Sequence, residues 1–472
     1  MTNALLRLRE ALLLALLALL PFHALLVTVG TRAFAGPGHA PLGALAAWKE
    51  GVLLLVLSCA CVELLLRKRR PHFDVMDAWG VAFLLAGAAW CVARPGAAAL
   101  YGVKYDLVPV AAFLLLRRVD WSQQFLRRAC AVLLVAGIIA GVYGLLTLRL
   151  PMAFFRFLGY ADLHSLYVPS GSLPPFHQIG ESMLRRVQSG FAGPNQLGLW
   201  MLLPWSVAWA QLLQSPRRKL ATLAIMPVGL AIAGSLSRAA WIGAVIVVVA
   251  LFVRATSGAA RRRVLASAAG AVVLGVGMLF ILAPSTVVRM ASSADHIRRP
   301  VEAVRRIVAH PWGTGLGTAG PASNRISDAC VDLPAGADAS WAAAHPALCV
   351  FVAGVQVQPA GKACTCPVLP ENWYLQIGVE LGIVGMLLFI GLLLAALWAL
   401  ARRGMLESDA MFAAVMALSA AALVLHAWED AAVAWTSWIL AAAVLRQGTS
   451  NAGRVPPAGG PLTTAAASGH GR

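Results

Sequence analysis

The sequence predicts an all-α polytopic membrane protein with about twelve transmembrane helices and one large loop subdomain. Three observations carry that prediction. Of the 472 residues 60% are hydrophobic and only 12% charged, against about 45–50% apolar and about 25% charged in an ordinary soluble domain. The apolar residues are gathered in blocks of about 17 to 25, the length of a membrane-crossing helix and too long for the alternating strands of a closed barrel. The basic residues fall in short segments between those blocks, where membrane topology puts them.

Taken in order, spans are expected near residues 11–29, 50–66, 76–94, 100–116, 128–148, 195–214, 219–235, 239–254, 264–284, 373–400, 409–426 and 430–446. The block from Ala11 to Gly30 lacks a small-residue cleavage site and reads as a retained helix, not a signal peptide. Arg7 and Arg9 precede the first span. Basic groups then follow every second one: Arg67 to Arg70, Arg117 with Arg118, Arg217 to Lys219, Arg261 to Arg263, and Arg402 with Arg403. That alternation places both termini in the cytoplasm. It accounts for the net charge of +18 without nucleic acid, since no basic stripe is interleaved with stacking aromatics.

The opposite face then carries the long loops, residues 149–194 and 285–372, and long ordered loops are usually functional. The domain plan is therefore helices one to nine over 1–284, the loop subdomain over 285–372, helices ten to twelve over 373–446, and a disordered tail over 447–472. Cys59, Cys61, Cys91 and Cys130 fall in or beside spans as packing residues. Cys330, Cys349, Cys364 and Cys366 all lie in the large loop, which points to two disulfides of undetermined pairing. A zinc site is the alternative, although Cys-x-Cys with distant partners is not its usual spacing.

Three stretches put charge at the non-cytoplasmic ends of spans. The first runs from Arg185 and Arg186 through Gly190, Phe191, Pro194 and Asn195; its bland reading is a capped helix start with snorkelling arginines. The second is Gly234-Ser-Leu-Ser-Arg238-Ala-Ala-Trp241, where Arg238 stands on the face that should be poor in basic residues and reads as an anion site. The third is Glu371-Asn372-Trp373-Tyr374-Leu375-Gln376, continuing to Glu380-Leu-Gly382. Glu371 suits a helix start, and Glu380, about two turns further in, needs a buried partner. Arg94, Lys104 and Asp106, and His426, Glu429 and Asp430, face the same side. His310 opens the run His-Pro-Trp-Gly-Thr-Gly-Leu-Gly317, whose glycines do not follow a strand and so make no nucleotide fingerprint; a turn with little bulk near a ligand is the milder inference.

These pieces, in this order, resemble the O-antigen ligase and O-antigen polymerase superfamily: Arg186 followed by Gly-Phe-x-x-Pro-Asn, the Ser-x-Ser-Arg-Ala turn at Arg238, the glycine run from Pro311 to Gly317, and Asn372-x-Tyr374-Leu-Gln followed by Glu380-x-Gly382. The resemblance implies a metal-independent, inverting glycosyltransferase of the bacterial inner membrane, working without a cofactor at the periplasmic surface. Its donor is a glycan on undecaprenyl pyrophosphate and its acceptor a sugar or lipid A core. Arg186 and Arg238 would hold the pyrophosphate, and a base would take the acceptor hydroxyl's proton. Ligases commonly carry histidine where this chain has Glu371, so Glu371 is the expected base, provided an apolar surround raises its pKa; a polymerase or a ligase of another polysaccharide then fits as well as a lipopolysaccharide ligase. Arg185, Lys104, His310, Asn372, Tyr374 and Glu380 are secondary candidates. The rival class is a flippase or transporter of lipid-linked oligosaccharide, which would be expected to show matched repeats between its halves; an inactive structural subunit would have little reason to keep Arg238.

Overall fold

The computed structural model describes residues 2–67, 73–161, 178–179, 182–216, 218–263, 265–267 and 290–452. Within them the chain is an all-α, multi-pass membrane protein. Six helical stretches among the described residues are long and apolar enough to cross a bilayer: Asn3–Ala35, Val75–Ala93, Ala97–Leu116, Phe125–Thr147, Arg238–Ala255 and Trp373–Ala401. The expected span at 264–284 apart from 265–267, the basic residues Lys68, Arg69, Arg70 and Arg217, and the tail from 453 lie outside the described residues.

The first stretch is longer than expected and broken. α1 (Thr2–Leu19) and α2 (His23–Ala35) are joined by a 3-10 turn at Leu20–Phe22, because Pro21 removes a backbone donor. After α3 (Gly43–Ala46) and α4 (Trp48–Arg67), α5 (Val75–Ala93) starts on a reciprocal capping box between Asp74 and Asp77. α6 (Ala97–Gly102) passes through a π-helical turn, Val103–Leu107, into α7 (Val108–Leu116); the turn carries Lys104 and Asp106.

α8 (Phe125–Thr147) is a packing post. A Cβ on Gly137 would lie 2.8 Å from Pro204 Cβ, one on Gly141 would lie 2.6 Å from the Pro227 carbonyl oxygen, and one on Gly144 would lie 2.7 Å from Val187. Small residues at this spacing let neighbours approach closely where no hydrophobic effect drives helices together. The neighbours, beyond the short α9 (Met152–Leu158) and strands β1 (Gln178–Ile179) and β2 (Ser182–Arg185), are α10 (Pro194–Gln214) and α11 (Lys219–Gly234); α12 (Arg238–Ala255) follows.

The large loop folds. It holds α13 (Met290–Ala309), α14 (Gly320–Ser323) and a sheet of β3 (Cys330–Leu333), β4 (Cys349–Val352) and β5 (Val355–Gln358), with β3 parallel and β5 antiparallel to the central β4. Disulfides join Cys330 to Cys366 and Cys349 to Cys364. All four sulfurs are thereby taken up in two pairs, and disulfide sulfur is not the thiolate that zinc binds.

α15 (Trp373–Ala401), α16 (Leu406–Ala421) and α17 (Ala431–Ala452) complete the bundle, and α17 continues past Gln447, where a disordered tail was expected. α15 is broken at Gly382, whose φ of 73° puts it in the left-handed region. The glycine run of the loop fits into that break: Pro311 O accepts from Ile383 N, Thr314 N donates to Val379 O, and Gly315 N donates to Glu380 O. The loop thus supplies partners that a continuous helix would have supplied itself. A Cβ on Gly382 would lie 2.3 Å from Pro311 O, and one on Gly317 2.0 Å from Ala98 O. The bulk-free turn expected around His310 therefore serves contact with α15 and α6.

The two ends of the bundle separate cleanly. One gathers Arg9 with Glu63, Arg117 with Asp74 and Asp77, Arg254 with Asp409, and Arg446 with Asp120. The other carries the starts of α10, α12 and α15, the end of α16 and the disulfide-bonded loop, since Gln214 and Arg254 at the far ends of α10 and α12 both bond Asp409 near the start of α16.

Candidate functional site

Two of the three sequence stretches meet at one corner of that second end. Val187 N donates to Gly234 O at 2.8 Å, which lays the segment before α10 against the α11–α12 turn. Arg186 then donates from Nε to Ser235 O at 2.8 Å and from Nη2 to Asn195 Oδ1 at 2.7 Å, both neutral acceptors. Ser237 occupies the N-cap position of α12 and Arg238 is its first residue. The approach is close because Gly198 of α10 faces Ala240 and Ser235: a Cβ there would lie 2.7 and 2.9 Å from them. Two arginines on neighbouring segments, one beside a helix N-terminus, make a concentrated positive field suited to a multiply charged anion.

The third stretch opens the same end. Asn372 caps α15 by accepting from Leu375 N and donates to Leu423 O. Trp373 N donates to Ala422 O and Tyr374 OH to Ser419 O at 2.9 Å. Asn372 and Tyr374 are therefore fasteners between α15 and the end of α16. Glu371, at φ 52°, forms an ion pair with Arg299 of α13, so the apolar surround expected for it is replaced by a guanidinium. Arg299 was not among the residues singled out from sequence: it sits within an arginine pair in an amphipathic helix, which on its own reads as a solvated face.

Glu380 finds the partner its burial requires, but the partner is not a cation. One oxygen accepts from Ala319 N at 3.1 Å, while Asp106 from the π turn lies within electrostatic reach, and its two oxygens and the second Glu380 oxygen are buried without a hydrogen-bond partner among the described residues. Glu429 lies close enough to raise the charge density further. All three are 3% exposed or less, and among the described residues none ion-pairs with lysine or arginine. Buried carboxyls gathered this closely disfavour ionising together. Gln376 links the cluster to histidine, donating to Glu429 Oε2 at 2.9 Å while its oxygen lies 2.6 Å from His426 Nδ1. Burial, reinforced by Asp106, pushes the Glu429 carboxyl well above its usual range. Burial likewise pushes His426 down to about 4, with Glu371 and Arg299 within electrostatic reach. The imidazole is therefore neutral near pH 7.

The remaining candidates lie apart. Lys104 pairs with Glu50 at 2.8 Å, next to Lys49 and His23. Arg94 donates to Thr314 O at 2.6 Å, fastening the glycine run. Arg185 ends β2. His310 is exposed at the end of α13, and Asp430 caps α17 through Ala432 N and Val433 N.

No known protein-family model matches the chain, and no curated protein is significantly similar to it in sequence.

Proposed function

We propose that the chain is a membrane glycosyltransferase that transfers or polymerises a glycan from an undecaprenyl-pyrophosphate donor onto a sugar acceptor, in the manner of O-antigen ligases and polymerases. The observation that carries this reading is the convergence of Arg186 with the Ser235–Arg238 turn at the end of the bundle where α15 begins with Glu371. In this scheme Arg186 and Arg238 hold the donor pyrophosphate. The acceptor hydroxyl oxygen attacks the anomeric carbon from the face opposite the pyrophosphate, the bond to pyrophosphate breaks with its electron pair, and the configuration inverts. The hydroxyl proton passes to Glu371, and the arginines stabilise the charge left on the lipid pyrophosphate. A second anion near Arg299 would compete for its guanidinium and release the Glu371 carboxylate. The chemistry so written needs neither metal nor nucleotide.

The same proposal places about twelve spans in a bacterial inner membrane, with the ion-paired end and both termini cytoplasmic and the disulfide-bonded loop periplasmic; the basic residues at the first end and the disulfides at the second support that orientation. A flippase of lipid-linked oligosaccharide is the second reading, favoured by one observation: the buried carboxyls Asp106, Glu380 and Glu429 are a pattern found where protons cross membranes.

The test is glycan transfer by the purified full chain in nanodiscs, with an undecaprenyl-pyrophosphate glycan as donor and no nucleotide sugar or metal. The expected result is a new glycosidic bond, lost in Arg238→Ala and reduced at least about 100-fold in Glu371→Gln, with both variants monodisperse. Longer lipid-linked chains would mark a polymerase, and glycan on lipid A core a ligase. Movement of intact donor between leaflets with no new bond would overturn the transferase in favour of the flippase.

A further inference from the structure

α13 has two apolar faces where a loop helix needs one. Ala303 and Ile307 are buried against Val379 of α15 and Ala319. A second row, Ile297, Val301, Val304 and Val308, recurs at steps of four, three and four, so it forms one stripe along the helix. These side chains are exposed, Ile297 at 69% and Val308 at 74%. Single exposed apolar residues are ordinary; a continuous stripe marks a surface that something covers.

What the stripe runs into identifies the cover. Beyond the helix end Trp312 is also exposed, at 74%, and the adjoining Pro311 bonds Ile383, so the stripe continues onto the outer wall of α15, where Ile383, Val384 and Leu387 are exposed. That wall belongs to a helix long and apolar enough to span a bilayer, and such outward apolar surface meets lipid. The stretch from Ile383 to Ala401 rises about 28 Å at about 1.5 Å per residue, the depth of one hydrocarbon core. α13 therefore joins α15 at the level where acyl chains give way to headgroups. Arg298 and Arg305 are exposed along one flank of the stripe, Arg298 at 3.6 Å from Asp332, where long basic side chains reach headgroup phosphates.

We propose that α13 lies in the headgroup layer of the membrane, its stripe immersed among the tops of the acyl chains and its flanking arginines on anionic phospholipid. This placement is independent of the transferase reading. It sets Arg299, and with it Glu371, at the depth of lipid phosphates, through a helix that senses the leaflet directly.

The experiment uses the full chain in nanodiscs of phosphatidylcholine with or without phosphatidylglycerol. Single cysteines at Val304, Val308 and, as a control, Ser340 carry nitroxides, with Cys59, Cys61, Cys91 and Cys130 changed to alanine. The expected result is that labels at 304 and 308 are reached by oxygen in preference to a water-soluble nickel chelate while the label at 340 shows the reverse. Arg298→Glu with Arg305→Glu should shift the first two toward the chelate in the anionic discs. Labels at 304 and 308 as open to the chelate as the one at 340 would overturn the proposal, and so would labels hidden from both reagents, the signature of a protein partner or second copy. Native cysteines can be kept in a parallel measurement: lipids brominated high on the chain should quench wild type more than Trp312→Phe, and equal quenching would equally overturn it.

Discussion

The two ends of the bundle handle buried charge in opposite ways. At one end arginines are matched to buried acids: Arg9 and Glu63 are both 0% exposed and joined at 2.8 Å, with Arg9 also 4.4 Å above the Trp121 ring, and Arg254 and Asp409 close the gap between α12 and α16 at 2.6 Å. At the other end acids are gathered with acids at Asp106, Glu380 and Glu429, while Arg186 is positioned by a carbonyl and an amide. Paired charge costs desolvation that the pair largely recovers, and it holds helix ends in register. Clustered like charge recovers little, and a fold keeps it where the charge or its proton has work to do. The difference separates a fastening from a site.

The largest test of that contrast is a pair of charge-neutralising variants. Glu63→Gln should cost about 3–5 kcal/mol, because it strands a fully buried guanidinium. Glu380→Gln should cost less than about 1 kcal/mol or stabilise, because an amide still accepts from Ala319 N and removes one acid from the buried cluster. Denaturation midpoints in detergent decide it; equal losses would break the contrast.

Gly382→Ala probes the second end without touching charge. A left-handed residue with a Cβ driven at a carbonyl should cost about 2–3 kcal/mol, and should free the glycine run, read as faster proteolysis between His310 and Gly320. An unchanged midpoint with unchanged proteolysis would show that the loop is not held there.

The smallest effect sharpens the contrast by pH. His426 is pushed down to about 4 in the fold from about 6.5 when unfolded, so the unfolded chain binds a proton first as the solution is acidified. Its contribution is intact above about pH 6.5 and lost as pH falls toward 4, about 1.5 kcal/mol between pH 6.5 and 5. His426→Gln should flatten that interval relative to wild type, and parallel curves would show that the imidazole does not titrate there.

Much of the fold is legible in the sequence because hydrocarbon thickness leaves so few solutions. The helices at Val75–Ala93, Phe125–Thr147, Arg238–Ala255 and Trp373–Ala401 fall where the apolar blocks lie, and the loop cysteines pair among themselves. Block length does not reveal internal breaks: Pro21 divides the first stretch, and the π turn at Lys104 and Asp106 rotates those two residues onto different neighbours. In the site, the meeting of Arg186 with the Ser235 turn answers to the positions of the two stretches at one end of the bundle, and the Gly137, Gly141 and Gly144 spacing on α8 was a further signal for it. The Glu371–Arg299 pair was not readable, because it depends on where α13 docks. Nor was the approach of Asp106 to Glu380, since residues far apart in the chain meet only through the glycine run and the π turn.

That glycine run also dictates an order of biosynthesis. Residues 311–320 are synthesised before α15, yet the amide of Ile383 and the carbonyls of Val379 and Glu380 find their partners on them. Until the loop has folded back, the break in α15 carries backbone groups without their native partners. Closing of the bundle is then a two-stage event, in which the loop arrives first and α15 completes its backbone pairing against it.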